Sequence, residues 1–191
     1  MKRVKSANLA EMKISSYLSA LSARMPSPGG GSAAALAAAL GVACALKAAA
    51  FTKVECLPPS RRKVFKAASR VLVTARGVFE RAVSRDAVAY FKVSAAAKRL
   101  SAAPSGSIEA SRAAGRFASA LERASEVPSE AAREARRAAR AIAGSRRDFN
   151  PRFASDIACA ELLLASAARA CALLAAENLA AARRALSGAK K

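Results

Sequence analysis

Alanine fills most of residues 33–50, a stretch interrupted only by Leu36, Leu40, Gly41, Val42, Cys44, Leu46 and Lys47. Alanine has no side-chain entropy to lose in a helix, so long runs of it favour helices whose small side chains let neighbours pack closely. The same bias holds elsewhere: hydrophobic residues make up 53% of the chain and alanine dominates them, against nine glycines and seven prolines. No run of alternating β-branched residues marks a strand. The expected fold is therefore all-α, a single-domain antiparallel bundle of about six helices over residues 1–191, with 1–6 and 187–191 frayed.

Breakers and caps place the helices. The first spans about Ala7 to Arg24, with a loose apolar stripe of Leu9, Met12, Tyr17, Leu18 and Leu21. The second covers about Ala33 to Lys53. After Pro58-Pro59, Ser60 is the expected cap of a long third helix reaching Leu100. A fourth runs from Ile108 to Ser125, a fifth from Pro128 to Ala143, and a last one from Pro151 to about Leu186. Residues 33–51 and 157–182 resemble membrane spans, but Lys47 interrupts the first, and Glu161, Arg169, Glu177 and Asn178 interrupt the second. Charges are costly at a bilayer centre, so both are read as buried core helices and no membrane partner is expected. The basic residues Met1–Lys5 are followed by no apolar segment, so no signal peptide is expected and the protein is placed in the cytoplasm.

Pro26-Ser27-Pro28-Gly29-Gly30-Gly31-Ser32 precedes the alanine run. The prolines oppose helix, the glycines free the backbone, and Ser32 is a ready N-cap. A glycine turn opening onto a helix N-terminus can hold an anion through backbone N–H groups and the helix dipole. This segment points to a binding function.

Charge and missing residues narrow the chemistry. Lysine and arginine number 33 against 13 acids, a net charge of +20. Nucleic acid is the first partner such a balance suggests. However, the basic residues are spread along whole helices, aromatics are only 5% and tryptophan is absent, so base-stacking platforms are lacking. A solvated arginine-rich surface is the favoured reading. Attraction of a polyanionic small molecule into one cleft is another. With no histidine, His-based triads and ordinary His-containing zinc sites are excluded, leaving Asp, Glu, Lys, Tyr or water for proton transfer. Cys44, Cys56, Cys159 and Cys171 show no C-x-x-C spacing. Cys159 and Cys171 sit roughly 18 Å apart along one helix and cannot pair, so all four are expected to be small buried hydrophobes.

One carboxylate breaks a core pattern. Val64, Ala68, Val71, Ala75, Phe79, Ala82, Asp86, Tyr90, Val93 and Ala97 form one stripe at spacings of three and four, with Asp86 in its middle. A core-facing carboxylate must be paired, hydrogen-bonded or protonated. A salt bridge with Arg85 or with a neighbouring helix is the plain reading; a pocket carboxylate with a shifted pKa is the functional one. Ser155 or Asp156 can cap the last helix, and Asp156 gains functional weight only if that helix start meets the glycine turn.

Ser-Pro-Gly-Gly-Gly-Ser-Ala-Ala-Ala-Leu (27–36), the spacing of Ser32 to Thr52, Arg-Asp-Ala-Val-Ala-Tyr-Phe (85–91), Glu-Val-Pro (126–128), Asn150-Pro151 through Ser155-Asp156, and Asn178-Leu179 occur in order over nearly the whole chain. Together they resemble the cyclodeaminase/cyclohydrolase family: the C-terminal domain of formiminotransferase-cyclodeaminase and the related stand-alone methenyltetrahydrofolate cyclohydrolases. The resemblance implies an all-helical homodimer or larger assembly acting on a folate, polyglutamylated forms included, with no metal or redox cofactor. It implies a substrate site built from Pro28, Gly29, Gly30, Gly31, Ser32, Lys47, Tyr90, Ser155 and Asn178, with Asp86 as the preferred acid/base and Asp156 as a second catalytic carboxylate. The implied reaction is hydrolysis of the methenyl bridge of 5,10-methenyltetrahydrofolate or cyclisation of 5-formiminotetrahydrofolate with loss of ammonia. Lys47 replaces the family's usual methionine, Ala38 a glycine and Leu174 the first asparagine of its Asn-Val-x-x-Asn-Leu pattern. Two alternatives stay open: a non-catalytic binder of an anionic metabolite on the same scaffold, and a basic nucleic-acid-binding helical protein.

Overall fold

Alanine-rich helices account for almost every element of the protein. The computed structural model describes residues 9–188; the expected fraying of 1–6 and of 189–191, and the start of the first helix at Ala7, lie outside those residues, whereas 187 and 188, also expected to fray, continue the last helix. Among the described residues there are five α-helices: α1 (Ile14–Ser22), α2 (Gly30–Ala50), α3 (Pro59–Ala102), α4 (Ile108–Ser145) and α5 (Ala154–Gly188). Short 3-10 turns lie at Leu9–Glu11, Val54–Cys56, Arg146–Asp148 and Pro151–Phe153. The all-α expectation holds; the count of about six does not, because Pro128 lies inside α4 rather than opening a fifth helix. Proline removes one backbone donor and usually breaks a helix. Here Leu121, Ala124, Val127, Ala131 and Pro128 itself are all buried, and packing on both sides of the proline carries the helix through.

Other boundaries shift for local reasons. The first expected helix splits into the Leu9–Glu11 turn and α1, separated by Lys13 in an extended conformation. Tyr17 of its stripe is buried, whereas Leu18 is exposed. α2 begins at Gly30, so Ser32 lies within its first turn and is not the N-cap; Gly29 is, without a side-chain bond. α3 begins at Pro59 with Pro58 as its N-cap, so Ser60 caps nothing there. Proline suits that first turn, where an N–H would lack a partner anyway. The buried line of α3 is Phe65, Ala68, Leu72, Ala75, Phe79 and Ala82, so the expected stripe is off by one residue at Val64 and Val71, and past Asp86 it leaves the core, with Tyr90 exposed. Neither Ser155 nor Asp156 caps α5; the side chain of Asn150 accepts from the Arg152 N–H just before it.

α2 packs against both α3 and α5, and α4 packs against the same two. The main core joins Val42, Phe65, Leu72, Phe79, Ile142 and Leu164 with alanines from all four helices. α2 and α5 are long and apolar enough to cross a membrane, but here each contributes to this core. They approach closely at Gly41, where a Cβ would lie 3.1 Å from the Ala160 carbonyl oxygen and from Leu163 Cβ. At the other end of the core, Arg61 grips buried Asp148 with Nε to Oδ1 at 3.0 Å and Nη2 to Oδ2 at 2.6 Å. That fork ties the start of α3 to the chain just beyond α4. The cysteines depart from expectation: only Cys171 is buried, Cys44 is half-buried, and Cys56 and Cys159 are exposed.

Two glycines separate packing from propensity. Gly41→Leu is expected to destabilise the protein by about 1–3 kcal/mol through overpacking. Gly115→Ala, inside α4 with open space around a new Cβ, is expected to stabilise it by about 0.5–1 kcal/mol. Urea unfolding midpoints measure both.

Candidate functional site

The first turn of α2 is built around a carboxylate from α3. The Ser32 N–H donates to Asp86 Oδ2 at 3.0 Å. This N–H is one of those a helix start leaves without an intrahelical partner, so Asp86 caps α2 from a distant part of the chain. The approach demands a glycine next door. A Cβ on Gly31 would lie 2.0 Å from Asp86 Oδ1 and 2.5 Å from its carboxyl carbon, which no side chain tolerates. Conformational freedom is not what the triple glycine provides, since Gly106 alone among described glycines has positive φ and Gly29 is extended at φ −135°. The requirement at Gly31 is room. The Ser27–Pro28 peptide entering the turn is cis, and Pro28 is buried.

The Ser32 side chain turns inward. It is fully buried, and its hydroxyl shares a 2.9 Å hydrogen bond with Tyr17 Oη from α1. Asp86, Ser32 and Tyr17 thus form one connected polar group at the meeting of three helices. Burial pushes the Asp86 carboxyl above its ordinary value, and the Ser32 hydrogen bond only partly offsets this. Burial also raises the Tyr17 phenol, with the Asp86 charge adding to it. Buried Cys171 on α5 is pushed up to about 11 by burial and by the same carboxylate. No cation pairs with Asp86 among the described residues; Arg85 binds Glu130 instead, at 2.7 Å. The plain reading of Asp86 as half of a salt bridge therefore does not hold.

Asp86 opens onto a pocket of about 320 Å³ whose wall includes Gly29, Gly30, Gly31, Tyr90, Pro128 and Asn178. Gly30 and Gly31 line this space, and a helix start leaves their N–H groups without helical partners. The helix-breaking residue of α4 also falls here: Ala124 and Pro128 both line the pocket. Leu174 lines it too, its Cδ2 3.9 Å from where a Cβ on Gly30 would stand. Through Ala89 and Ala124 the pocket adjoins a second groove of about 550 Å³ that carries Arg85, Lys92 and Arg123 with Glu126.

The expected site residues divide into two groups. Gly29, Gly30, Gly31, Tyr90, Asn178 and Asp86 come together at the pocket, with Pro28 and Ser32 buried behind it. Lys47, Ser155 and Asp156 do not join them. Lys47 lies near the other end of α2, on the order of 25 Å from Gly30 at 1.5 Å per residue. There Lys47 Nζ bonds Asp156 Oδ1 at 3.0 Å and lies 5.5 Å from the Phe153 ring centroid. Ser155 is exposed beside them. Thr52 accepts from the Asn150 N–H at 3.0 Å, and the Asn150 side chain donates to the Phe51 carbonyl, so this second cluster fastens the entry of α5 to the end of α2. Within one chain the start of α5 does not meet the glycine turn. Tyr17 and Cys171 were absent from the expected site; nothing distinguishes them in sequence from ordinary core residues, because their roles arise only from the three-helix meeting. Among the described residues no group of three or more potential metal ligands is clustered.

An all-helical protein with a carboxylate-capped glycine turn over a small pocket is the class that fold and site define. The sequence model for formiminotransferase-cyclodeaminase matches residues 13–185, and the chain belongs to that family. Among solved structures, formiminotetrahydrofolate cyclodeaminase from Thermotoga maritima superposes with a TM-score of 0.62 at 20% identity, covering 94% of this chain and 87% of that one. No curated protein sequence matches.

Two outcomes test the site. Gly31→Ala is expected to expel the Asp86 carboxylate from the α2 terminus and cost about 1–3 kcal/mol, read from chemical denaturation. The second concerns pH. With its folded-state value raised, Asp86 binds a proton more readily folded than unfolded. Its ionisation therefore opposes folding above the folded value and ceases to matter below the unfolded one. As pH falls through that window, wild type should gain thermal stability relative to Asp86→Asn; a constant difference would contradict the raised value.

Proposed function

We propose that this protein is a folate one-carbon enzyme, a methenyltetrahydrofolate cyclohydrolase or a formiminotetrahydrofolate cyclodeaminase. The observation that carries the reading is Asp86: half-buried, without a cation, and held at a pocket by the backbone of the glycine turn. Either reaction passes through a tetrahedral carbon between N5 and N10. In hydrolysis water adds to the methenyl carbon and the bond to N5 breaks. In cyclisation N10 adds to the formimino carbon and ammonia leaves. Both need one group that accepts a proton from the nucleophile and returns it to a departing nitrogen. A carboxyl whose pKa is raised toward neutrality suits that exchange.

Asp86 is assigned the proton transfer, with Tyr17 and Ser32 fixing the local network behind it. The Gly30 and Gly31 N–H groups offer donors for polar atoms of the bound folate. Asn178 and Tyr90, which line the pocket, are assigned the orientation of the ring system. The adjoining groove, with Arg85, Lys92 and Arg123, supports entry of a ligand carrying glutamyl carboxylates, polyglutamylated forms included. Asp156 and Lys47 are assigned no chemical step within one chain, because they pair with each other at the far end of α2. The reading carries with it a homodimer, a cytoplasmic setting and no metal or redox cofactor, each a proposal.

Leu174 favours a second reading. It puts an apolar side chain in the pocket where the family pattern has an asparagine, consistent with a binder that has lost turnover. Purified protein assayed with 5,10-methenyltetrahydrofolate, by loss of methenyl absorbance, and with 5-formiminotetrahydrofolate, by ammonia release, separates the readings. Turnover that falls about 100-fold or more in Asp86→Asn supports the enzyme. Unchanged turnover in that variant removes Asp86 from catalysis, and folate binding without turnover in wild type selects the binder.

A further inference from the structure

Contacts between α2 and α5 step forward along one helix and backward along the other. Gly30 lies near Leu174, Gly41 against Ala160 and Leu163, Lys47 against Asp156, and Phe51 stacks on Phe153 with centroids 4.6 Å apart. Cys44 falls between Gly41 and Lys47 on α2, and Cys159 between Ala160 and Asp156 on α5. The register therefore sets these two cysteines opposite each other, near enough that Cys159 helps to raise the Cys44 thiol. The seam is held on both sides of the pair. At Gly41 the backbones nearly touch, and beyond it the Lys47–Asp156 bond closes the gap at 3.0 Å. Disulfides require closely facing Cβ atoms, and a helix pair pinned in this register sets the two cysteines face to face.

We propose that Cys44 and Cys159 are a dithiol modification site that hydroperoxides convert into an α2–α5 disulfide within one chain. Cys159 is exposed and is reached first; Cys44 is half-buried and resolves. Burial and the neighbouring Cys159 raise the Cys44 thiol, with Asp156 adding to this and Lys47 opposing it, so Cys44 is held as a thiol in the seam. The Cys159 thiolate attacks one peroxide oxygen, the O–O bond breaks, and the departing alkoxide or hydroxide takes a proton from solvent. This leaves a sulfenic acid on Cys159. Cys44 sulfur then attacks Cys159 sulfur: the S–S bond forms, the S–O bond breaks, and hydroxide leaves with the Cys44 proton as water. Two electrons pass from the two thiols to the peroxide, and a dithiol reductant reverses the change.

Hydrogen peroxide at a few equivalents, added to the native reduced protein, tests this by peptide mass spectrometry under non-reducing conditions. The expected product is a Cys44–Cys159 linked peptide within a monomeric chain, lost on adding dithiothreitol. Because the bridge closes a loop of more than half the chain, the apparent Tm should rise by about 5 °C or more in the oxidised form. Cys44→Ser, a small change at a half-buried position, should divert Cys159 to sulfinic acid, whereas Cys56→Ser should leave the bridge intact. Cys159 oxidised to sulfinic acid in the wild type while Cys44 stays reduced, or Cys159 recovered only in bridges between chains, would overturn the proposal.

Discussion

The structure depends on one hydrogen bond reaching across a gap that only glycine leaves open. Asp86 Oδ2 accepts the Ser32 N–H at 3.0 Å, and the missing side chain of Gly31 is the space its carboxylate occupies. A helix N-terminus normally finds its acceptor on the residue just before it. Here Gly29 offers none, and the acceptor comes from the middle of α3. The same contact settles the end of α2, anchors Tyr17 through Ser32, and keeps a carboxyl group partly withdrawn from water beside a pocket. Local stability and the chemistry proposed for the site are thus coupled through one group.

Among the described residues, the other acids that are not exposed show why Asp86 stands apart. Asp148 is buried but gripped by the Arg61 fork; Asp156 bonds Lys47; Glu161 bonds Arg146; and Glu130 bonds Arg85. In a chain of net charge +20 a cation is seldom far from an acid. An acid that has none, and that relies on a backbone N–H instead, keeps a raised pKa that a paired one would lose. This contrast favours Asp86 over Asp156 as the proton-transferring group of the proposed reaction, even though both belong to motifs carrying the family resemblance.

Much of the fold was legible because it rests on local rules. Alanine runs gave helices, prolines gave their starts, and the stripe through Ala68, Ala75, Phe79 and Ala82 gave the buried face of α3. The errors came where tertiary packing overrode a local signal. Pro128 reads as a helix start, yet buried neighbours on both sides carry α4 through it. Ser32 reads as a cap, yet its hydroxyl is drawn inward by Tyr17, and the capping role passes to Asp86. The pocket half of the site was readable from the glycine turn and from the acid that broke a core stripe. That Lys47, Ser155 and Asp156 would sit at the far end of α2 was not, because motif order along a chain carries no information about which end of a helix each motif meets. Tyr17 and Cys171 were hidden for the same reason.

The central claim is that Asp86 is a protonatable group at the wall of a folate pocket. Carbon-13 NMR of its side-chain carboxyl, titrated with and without a stable reduced folate, tests that claim most directly. The midpoint is expected above the usual aspartate range in the free protein, and the signal is expected to shift when folate binds. A midpoint within the ordinary range, together with a signal that saturating folate leaves in place, would contradict it.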